Sequence, residues 1–243
     1  METKETILAK LNTSTDRLTE LVEQDGFYFV RKEITREQYP VIKQFYEYQQ
    51  QSPSPAIVTI YSVYEKEGHF YINEEWIRGE SVEEHLYLQG PFSKDEVIRY
   101  AMDLCQGLQW FHKHNMIHRD VTPANVIISE EKKAYLVDPG ILREVKKNQT
   151  NDTQILGTPG YAAPEQFGFT QSDARTDIYA LGVLINQMTT GKMPKEALPK
   201  DRRLRKIGTK CTQISAKKRY LNCHQIYKQL DAVLPEDTPA DIR

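Results

Sequence analysis

The chain has 243 residues, of which 39% are hydrophobic, 27% charged and 10% aromatic. This balance is typical of a globular protein with a buried core, and it excludes a disordered tail, a collagen and a membrane protein. The net charge of −2 at pH 7 excludes a nucleic-acid binder that is strongly basic throughout, although a local basic patch remains compatible with it.

The first third of the chain predicts a small β-sheet with one helix. Runs of alternating apolar and polar residues predict five strands, at residues 7–11, 18–23, 27–34, 57–64 and 69–77. Between the third and fourth strands, apolar residues three to four positions apart predict a helix over residues 36–51. Pro53 and Pro55 end this helix, because proline cannot continue a helix and restrains the residue before it.

From Ser81 onward the pattern becomes mainly helical. Ser93 and Glu96 have the spacing of a capping box, and apolar residues on one face continue the helix over residues 97–114. The remaining pattern predicts two short strands and two helices, at residues 126–128, 134–137, 177–190 and 223–233. The change of pattern near residue 78 predicts a hinge between a β-rich lobe and an α-rich lobe.

Three segments contain the residue types that phosphoryl transfer requires. Residues 118–128 have the sequence HRDVTPANVII, residues 136–140 are LVDPG, and residues 157–165 are GTPGYAAPE. A carboxylate can orient an attacking hydroxyl, and carboxylate and amide oxygens can hold Mg²⁺ against phosphates. Each short segment is a weak signal alone, but the order and separation of the three indicate a phosphoryl-transfer site.

The same segments resemble the catalytic loop H-R-D-x-x-x-x-N, the D-F-G and the A-P-E motifs of the eukaryotic-like (Hanks-type) serine/threonine protein kinase family. The resemblance extends over nearly the whole chain. Asp177 matches the helix that anchors the catalytic loop, and Arg219 matches the arginine that pairs with the A-P-E glutamate, here Glu165.

This resemblance implies a single α+β, bilobal kinase domain over residues 1–243. Residues 1–77 would form a small β-rich N-lobe with one helix, and residues 78–243 a larger α-helical C-lobe. It also implies ATP and Mg²⁺ as cofactors and transfer of phosphate to Ser or Thr hydroxyls of proteins, including autophosphorylation. Thr150 and Thr153 are the candidate autophosphorylation sites.

Carried over position by position, the resemblance implies five catalytic residues. Asp120 would accept or orient the proton of the substrate hydroxyl, and Asn125 and Asp138 would hold Mg²⁺. Lys32, in the predicted third strand, would contact the α- and β-phosphates of ATP. Counting back across the proline turn places Glu47 at the helix position whose glutamate pairs with this lysine in the family.

The family also implies where ATP would lie between the lobes. Adenine would lie against the backbone of the hinge segment at Glu75 and Ile77. The apolar residues expected to flank it are Leu11, Val30 and Ile127. Together with Lys32, these five residues form the predicted ATP-binding set.

Several positions depart from the family pattern. Residues 12–17 replace the glycine-rich loop that covers the phosphates, and Thr122 stands where serine/threonine kinases usually have lysine. Pro139 replaces the phenylalanine of D-F-G, Gln51 is polar where an apolar side chain packs, and the acidic Glu74 falls at the gatekeeper position before the hinge. Most of these departures support an alternative function, a pseudokinase that acts as a nucleotide-binding or scaffold module.

A second alternative comes from the region after residue 193. Residues 195–210 are short and basic where family members fit a further helix for docking substrates, which supports a small-molecule kinase. Residues 200–219 contain nine basic residues and one acidic residue. This stretch is compatible with a solvated helical face or with a site for an anionic partner.

The cysteines and the apolar stretches bear on localisation. Cys105, Cys211 and Cys223 are odd in number and lack the spacing of metal ligands, which favours a reducing compartment. The longest apolar stretches, near residues 56–63 and 179–185, are too short to cross a bilayer, and the first residues contain no apolar signal region. We therefore expect a cytoplasmic protein, or a cytoplasmic domain of a longer one.

Overall fold

The first third of the molecule is built on one antiparallel sheet. The structure, a computed structural model, describes residues 5–11, 17–54, 56–139, 143–144, 157–167 and 172–234. The strands of the sheet are β1 (Glu5–Lys10), β2 (Thr19–Gln24), β3 (Phe27–Ile34), β4 (Ile60–Lys66) and β5 (His69–Glu75). They pair in the order β1-β2-β3-β5-β4. Gly26 and Gly68 lie in two of the connecting turns with φ near +80°, which glycine adopts without steric cost.

One helix, α1 (Tyr39–Gln51), accompanies this sheet and contacts β4. Pro40 lies in its first turn, where the missing N–H leaves no hydrogen bond unmade, and Pro53 follows its end. The buried residues of the helix are Ile42, Phe45 and Gln49. Their spacing of three and four positions places them on a single face of the helix.

The remainder of the described chain is mainly helical. The helices are α2 (Val82–Leu88), α3 (Lys94–Lys113), α4 (Ala174–Thr190), α5 (Arg202–Cys211) and α6 (Cys223–Asp231). The short strands are β6 (Gly79–Ser81), β7 (Met116–Ile117), β8 (Val126–Ser129), β9 (Ala134–Leu136) and β10 (Arg143–Glu144). They form two small sheets, one of three strands in the order β6-β8-β9 and one of two strands, β10-β7. The predicted α+β class, with a β-rich first part and a helical second part, is confirmed.

Two of these helices begin with a capping box. At α3, the Glu96 N–H donates to the Ser93 hydroxyl at 3.4 Å and the Ser93 N–H donates to the Glu96 carboxylate at 2.9 Å. This arrangement confirms the capping box that the sequence predicts. Ser81 and Glu84 form the same pair of bonds at the start of α2, a helix that the periodicity of the sequence does not predict.

Aromatic side chains connect α1 to the helical part. The Phe45 ring of α1 lies 5.6 Å from the Trp110 ring and 5.1 Å from the Phe111 ring of α3, centroid to centroid. The Trp110 Nε1–H donates to the Ser52 carbonyl at 2.6 Å. These contacts bury an apolar face of α1 against α3 and fix the helix relative to the helical part.

A buried ion pair joins the A-P-E segment to the region between α5 and α6. The Arg219 guanidinium contacts both carboxylate oxygens of Glu165, at 2.6 and 2.9 Å, and both side chains are nearly inaccessible to solvent. Thr176 Oγ1 donates to the same carboxylate at 3.0 Å. This is the pairing that the family resemblance implies for Glu165 and Arg219.

Replacing Arg219 with Met is expected to lower the free energy of unfolding by about 3–5 kcal/mol, because it leaves the Glu165 carboxylate buried without its cation. Urea unfolding monitored by circular dichroism measures this loss. The exposed Lys228→Met substitution on α6 is the control and is expected to change the free energy by less than about 0.5 kcal/mol. Equal effects of the two substitutions would contradict a structural role for the Glu165–Arg219 pair.

The three cysteines belong to the protein core. Cys105, Cys211 and Cys223 are free and buried, and burial raises the pKa of each thiol. They therefore remain protonated at neutral pH and pack as small apolar side chains.

Among the helices of the described residues, none combines the length and the hydropathy that a bilayer crossing requires.

Candidate active site

Asp120 lies in the loop between β7 and β8, at the centre of a small hydrogen-bonded cluster. The Thr158 hydroxyl donates to Asp120 Oδ1 at 2.7 Å, and the Asn125 amide donates to Asp120 Oδ2 at 2.8 Å. The Asn125 amide also donates to the backbone carbonyl of Asp120 at 3.0 Å. Because both of its oxygens accept a hydrogen bond, the half-buried carboxylate has a fixed orientation.

The loop is anchored from the protein interior by Asp177 of α4, which is fully buried. Its carboxylate accepts the backbone N–H groups of His118 at 3.0 Å and Arg119 at 2.8 Å, and it lies 2.8 Å from His112 Nε2. Burial opposes ionisation of this group, but the neighbouring donors hold the pKa of Asp177 below its usual value. An ionised, buried carboxylate therefore fixes the backbone immediately before Asp120.

Two residues of this region have unusual backbone conformations. Arg119 and Asp138 lie in the left-handed region, at φ +71° and +60°. For residues other than glycine this costs about 1–3 kcal/mol, and it persists where the surrounding structure determines the conformation. The Gln166 side chain donates to the Arg119 carbonyl at 3.1 Å, and the Val137 N–H donates to the Asn125 carbonyl at 3.0 Å. Strain of this kind clusters at functional sites.

The bond between Val137 and Asn125 also brings the two predicted metal ligands together. Asp138 directly follows Val137, so it lies beside Asn125 at the end of β9. Asn125 uses its amide N–H groups on Asp120, and its Oδ1 accepts no hydrogen bond from the described residues. An amide oxygen and a carboxylate suit Mg²⁺, which takes one or two protein ligands and completes its shell with phosphates and water.

Lys32 of β3 forms an ion pair with Glu74 of β5. Lys32 Nζ lies 2.7 Å from Glu74 Oε1, and the two side chains are 17% and 3% exposed. The strand register explains this contact, because Lys32 lies opposite Ile72 and Val30 lies opposite Glu74. All four side chains share one face of the sheet, and Lys32 and Glu74 are diagonal neighbours within reach of a long side chain.

The carboxylate of Asp138 also acts on this pair. Burial lowers the pKa of Lys32, but the carboxylates of Glu74 and Asp138 more than offset this, so the net shift is upward. Burial raises the pKa of Glu74, and the negative charge of Asp138 adds to the rise while Lys32 opposes it. Lys32 is therefore a cation at neutral pH that faces a carboxylate from each lobe.

The prediction that Glu47 pairs with Lys32 is wrong. Glu47 is exposed on α1, whereas the buried face of this helix is formed by Ile42, Phe45 and Gln49. Residue 47 is two positions from both Phe45 and Gln49, about 200° around the helix, so it points away from the sheet. No other residue of α1 is acidic, and the carboxylate for Lys32 comes from β5 instead.

A polar residue is buried at the C-terminal end of α1, at Gln49 rather than at Gln51, which is exposed. The Gln49 amide donates to the Val58 carbonyl at 2.9 Å and accepts the Ile60 N–H at 3.0 Å. Both polar ends of this side chain are therefore satisfied, as a buried amide requires. These bonds tie α1 to the chain that enters β4.

The residues predicted to bind adenine lie in different environments. Val30 is buried on β3, Ile127 is half-buried on β8, and Glu75 ends β5, with Ile77 in the segment that leads to β6. Leu11 follows β1 and is 51% exposed. Residues 12–16, most of the segment that replaces the glycine-rich loop, lie outside the described residues, as do Thr150 and Thr153. The roles of all these residues in nucleotide binding remain predictions.

The departures Thr122 and Pro139 are both buried. Thr122 therefore places no charge in the cleft, where the family usually has a lysine. The sequence does not predict the supporting role of Gln166. It also does not predict that Glu74, noted at the gatekeeper position, is the partner of Lys32. The alternation of Ile72 and Glu74 places both on one face of β5, but only the strand register, with Ile72 opposite Lys32 and Glu74 opposite Val30, shows that Glu74 is within reach of Lys32.

Comparison with known proteins agrees with this geometry. Residues 21–236 match the family model described as protein kinase domain. Serine/threonine-protein kinase PknB of Mycolicibacterium smegmatis is 36% identical over 147 residues, 58% of this chain and 24% of that protein. PknB of Mycobacterium leprae is 34% identical over 146 residues, with the same shares. Probable serine/threonine-protein kinase pknA2 of Bifidobacterium longum is 30% identical over 142 residues, 58% of this chain and 19% of that protein. The matches span about a quarter or less of these relatives.

Proposed function

The chain belongs to the protein kinase family, and we propose that it transfers the γ-phosphate of ATP to Ser or Thr hydroxyls of proteins. The observation that carries the proposal is the fixed carboxylate of Asp120, held by Asn125 and Thr158 next to Asp138. The names of the bacterial relatives support Ser and Thr as acceptors. The free, buried cysteines support a cytoplasmic location.

In the proposed reaction, Asp120 orients the substrate hydroxyl and accepts its proton as the oxygen attacks the γ-phosphorus. The bond from this phosphorus to the bridging oxygen of the β-phosphate breaks, and ADP leaves. A carboxylate is suited to this role because it accepts hydrogen bonds without donating any when it is ionised. Thr158 and Asn125 fix its two oxygens, so little reorganisation is needed when the hydroxyl arrives. Asp177 fixes the backbone of the loop before the reaction begins.

The cation of Lys32 provides a contact for the α- and β-phosphates of ATP. Glu74 holds the ammonium by an ion pair, and the carboxylate of Asp138 also attracts it. Asn125 and Asp138 would hold Mg²⁺, which neutralises negative charge on the phosphates when it is bound. With Thr122 in place of a lysine, Lys32 is the principal cation that we assign to the nucleotide.

The acceptor class is tested by incubating a cell lysate with the protein and γ-labelled ATP, then separating proteins from small molecules. We expect label in the protein fraction, on Ser and Thr. Label that appears only in the small-molecule fraction would instead favour a small-molecule kinase. Stabilisation of the protein by ATP in a thermal-shift assay without any transfer would favour a pseudokinase.

A further inference from the structure

Helix α5 presents two chemically different faces. Its buried residues are Leu204, Ile207, Gly208 and Cys211, and this apolar face packs against α4 and α6. The packing against α4 is close, since a Cβ added at Gly182 would meet Cys211 Cβ at 2.3 Å. These contacts hold α5 in place, and its opposite face lies at the surface of the protein.

The outward face of α5 forms one side of a groove of about 580 Å³. We call it the basic groove and define it by five cationic residues, Arg202, Arg205, Lys206, Lys210 and Lys218. Among the residues that the structure describes, the other lining residues are Thr209 and Gln213, which are neutral, so none of the described lining residues is a carboxylate. Between α4 and α5, residues 191–201 form turns and bends and no helix.

The cations of the basic groove have no acidic partners within the described residues. The Arg205 guanidinium donates to the Pro199 and Lys200 carbonyls, at 2.8 and 3.3 Å, and Lys210 Nζ lies 4.2 Å above the Tyr220 ring. The nearby Asp201 is occupied, because it caps α5 and pairs with Lys94 at 2.8 Å. The positive charge of the groove is therefore available to an external anion.

The dimensions and chemistry of the groove favour a short peptide. From Arg202 to Lys210 the helix rises about 12 Å, a length that about four residues of an extended peptide span. A nucleic acid would need a larger contact area and gains from aromatic rings on which bases stack. None of the described residues that line the groove is aromatic, and the whole chain has a net charge of −2.

We propose that the basic groove binds an Asp- and Glu-rich segment of the protein that the kinase phosphorylates; this inference rests on the proposed function. Carboxylates spaced along an extended segment would meet the cations of α5 in turn. Exposed charge pairs contribute modestly one by one, but five cations together set affinity and orientation. The groove thereby replaces a docking helix as the means of selecting substrates.

Binding is tested by fluorescence anisotropy with a labelled octaglutamate peptide. The variant Arg202→Glu/Lys206→Glu reverses two groove charges. Both residues are exposed, and an acidic residue at position 202, in the first turn of α5, suits the helix dipole. We therefore expect the variant to fold. The matched control, Lys43→Glu/Lys228→Glu, makes the same change in net charge at exposed positions on α1 and α6. We expect the groove variant to bind the peptide about tenfold more weakly and the control to bind like the wild type.

The role in substrate choice is tested with two acceptor peptides that differ only in a Glu-rich extension. We expect the wild type to phosphorylate the extended peptide with higher kcat/KM, and the groove variant to lose this preference while its rate on the plain peptide stays unchanged. Equal binding by the groove and control variants would overturn the groove proposal even if both peptides are phosphorylated. Peptide binding without phosphorylation of either acceptor would instead overturn the proposed function and the substrate role of the groove.

The identity of the occupant has its own test. We expect the wild type to bind octaglutamate more tightly than a short DNA duplex or vesicles of phosphatidylserine at the same ionic strength. Tighter binding of the duplex or of the vesicles, lost in the groove variant, would overturn the choice of an acidic peptide.

Discussion

Asp120→Asn is expected to reduce phosphoryl transfer by about 10²- to 10⁴-fold, because an amide cannot accept the proton of the substrate hydroxyl. The fold should be retained. The amide oxygen can still accept the Asn125 N–H, and the amide N–H₂ can donate to the Thr158 hydroxyl, which also has acceptor lone pairs. The measurement is kcat/KM with a Ser-containing peptide, together with the free energy of unfolding from urea titration.

The control for this substitution is Asp95→Asn, which removes an exposed carboxylate from the first turn of α3. It is expected to cost less than about 1 kcal/mol of stability through the helix dipole and to leave transfer unchanged. If Asp120→Asn kept the wild-type rate, Asp120 would not be the base. If it unfolded the protein, Asp120→Glu, which keeps the carboxylate, would decide between a catalytic and a structural role.

Glu74→Gln is expected to lower kcat/KM for ATP by about 10²-fold, because Lys32 loses the carboxylate that holds it in the cleft. The freed ammonium would turn toward Asp138, which already attracts it, and would compete for a predicted metal ligand. Glu47→Gln is the matched control. It makes the same chemical change on the exposed face of α1 and is expected to alter kcat/KM by less than about twofold.

A double-mutant cycle tests the coupling of Lys32 to Glu74. If the two side chains act as a unit, Lys32→Met and Lys32→Met/Glu74→Gln should lower kcat/KM to the same extent. Additive losses would contradict the pairing, since each residue would then act independently. A large loss in Glu47→Gln with none in Glu74→Gln would mean that α1 supplies the carboxylate in the working enzyme.

Because Lys32 pairs with a carboxylate of a strand and not of a helix, we expect the proposed kinase activity to be controlled differently. In kinases that pair the strand lysine with a glutamate of the N-lobe helix, the position of that helix decides whether the lysine is held. Here the partner of Lys32 lies in the same sheet, and α1 presents Phe45 to α3 instead. We therefore expect the position of Lys32 to be independent of small movements of α1.

The sequence predicts the catalytic-loop part of the site better than the part formed by Lys32 and its carboxylate partner. Asp120 and Asn125 are five positions apart in one loop, and the motif assigns both to the site. The direct contact between their side chains is seen only in the structure. The assignment of Glu47 fails because counting across a proline turn does not reveal which face of a helix is buried. Only the packing of Ile42, Phe45 and Gln49 determines that face.

Other features depend on tertiary contacts that no local pattern contains. Asp138, with its left-handed backbone, follows Val137, whose N–H donates to the Asn125 carbonyl twelve positions earlier in the chain. The seven-residue helix α2 is too short for periodicity to identify, although its capping box at Ser81 is a readable signal. Only the fold separates the buried Arg219 from the other basic residues of 200–219, five of which line the groove.

Phosphoamino-acid analysis of a protein acceptor, labelled by the wild-type chain with γ-labelled ATP and Mg²⁺, tests the central claim most directly. The site built on Asp120, Asn125, Asp138 and the Lys32–Glu74 pair should place the label on phosphoserine and phosphothreonine. Absence of label under conditions in which ATP raises the unfolding temperature, or label on phosphotyrosine alone, would contradict it.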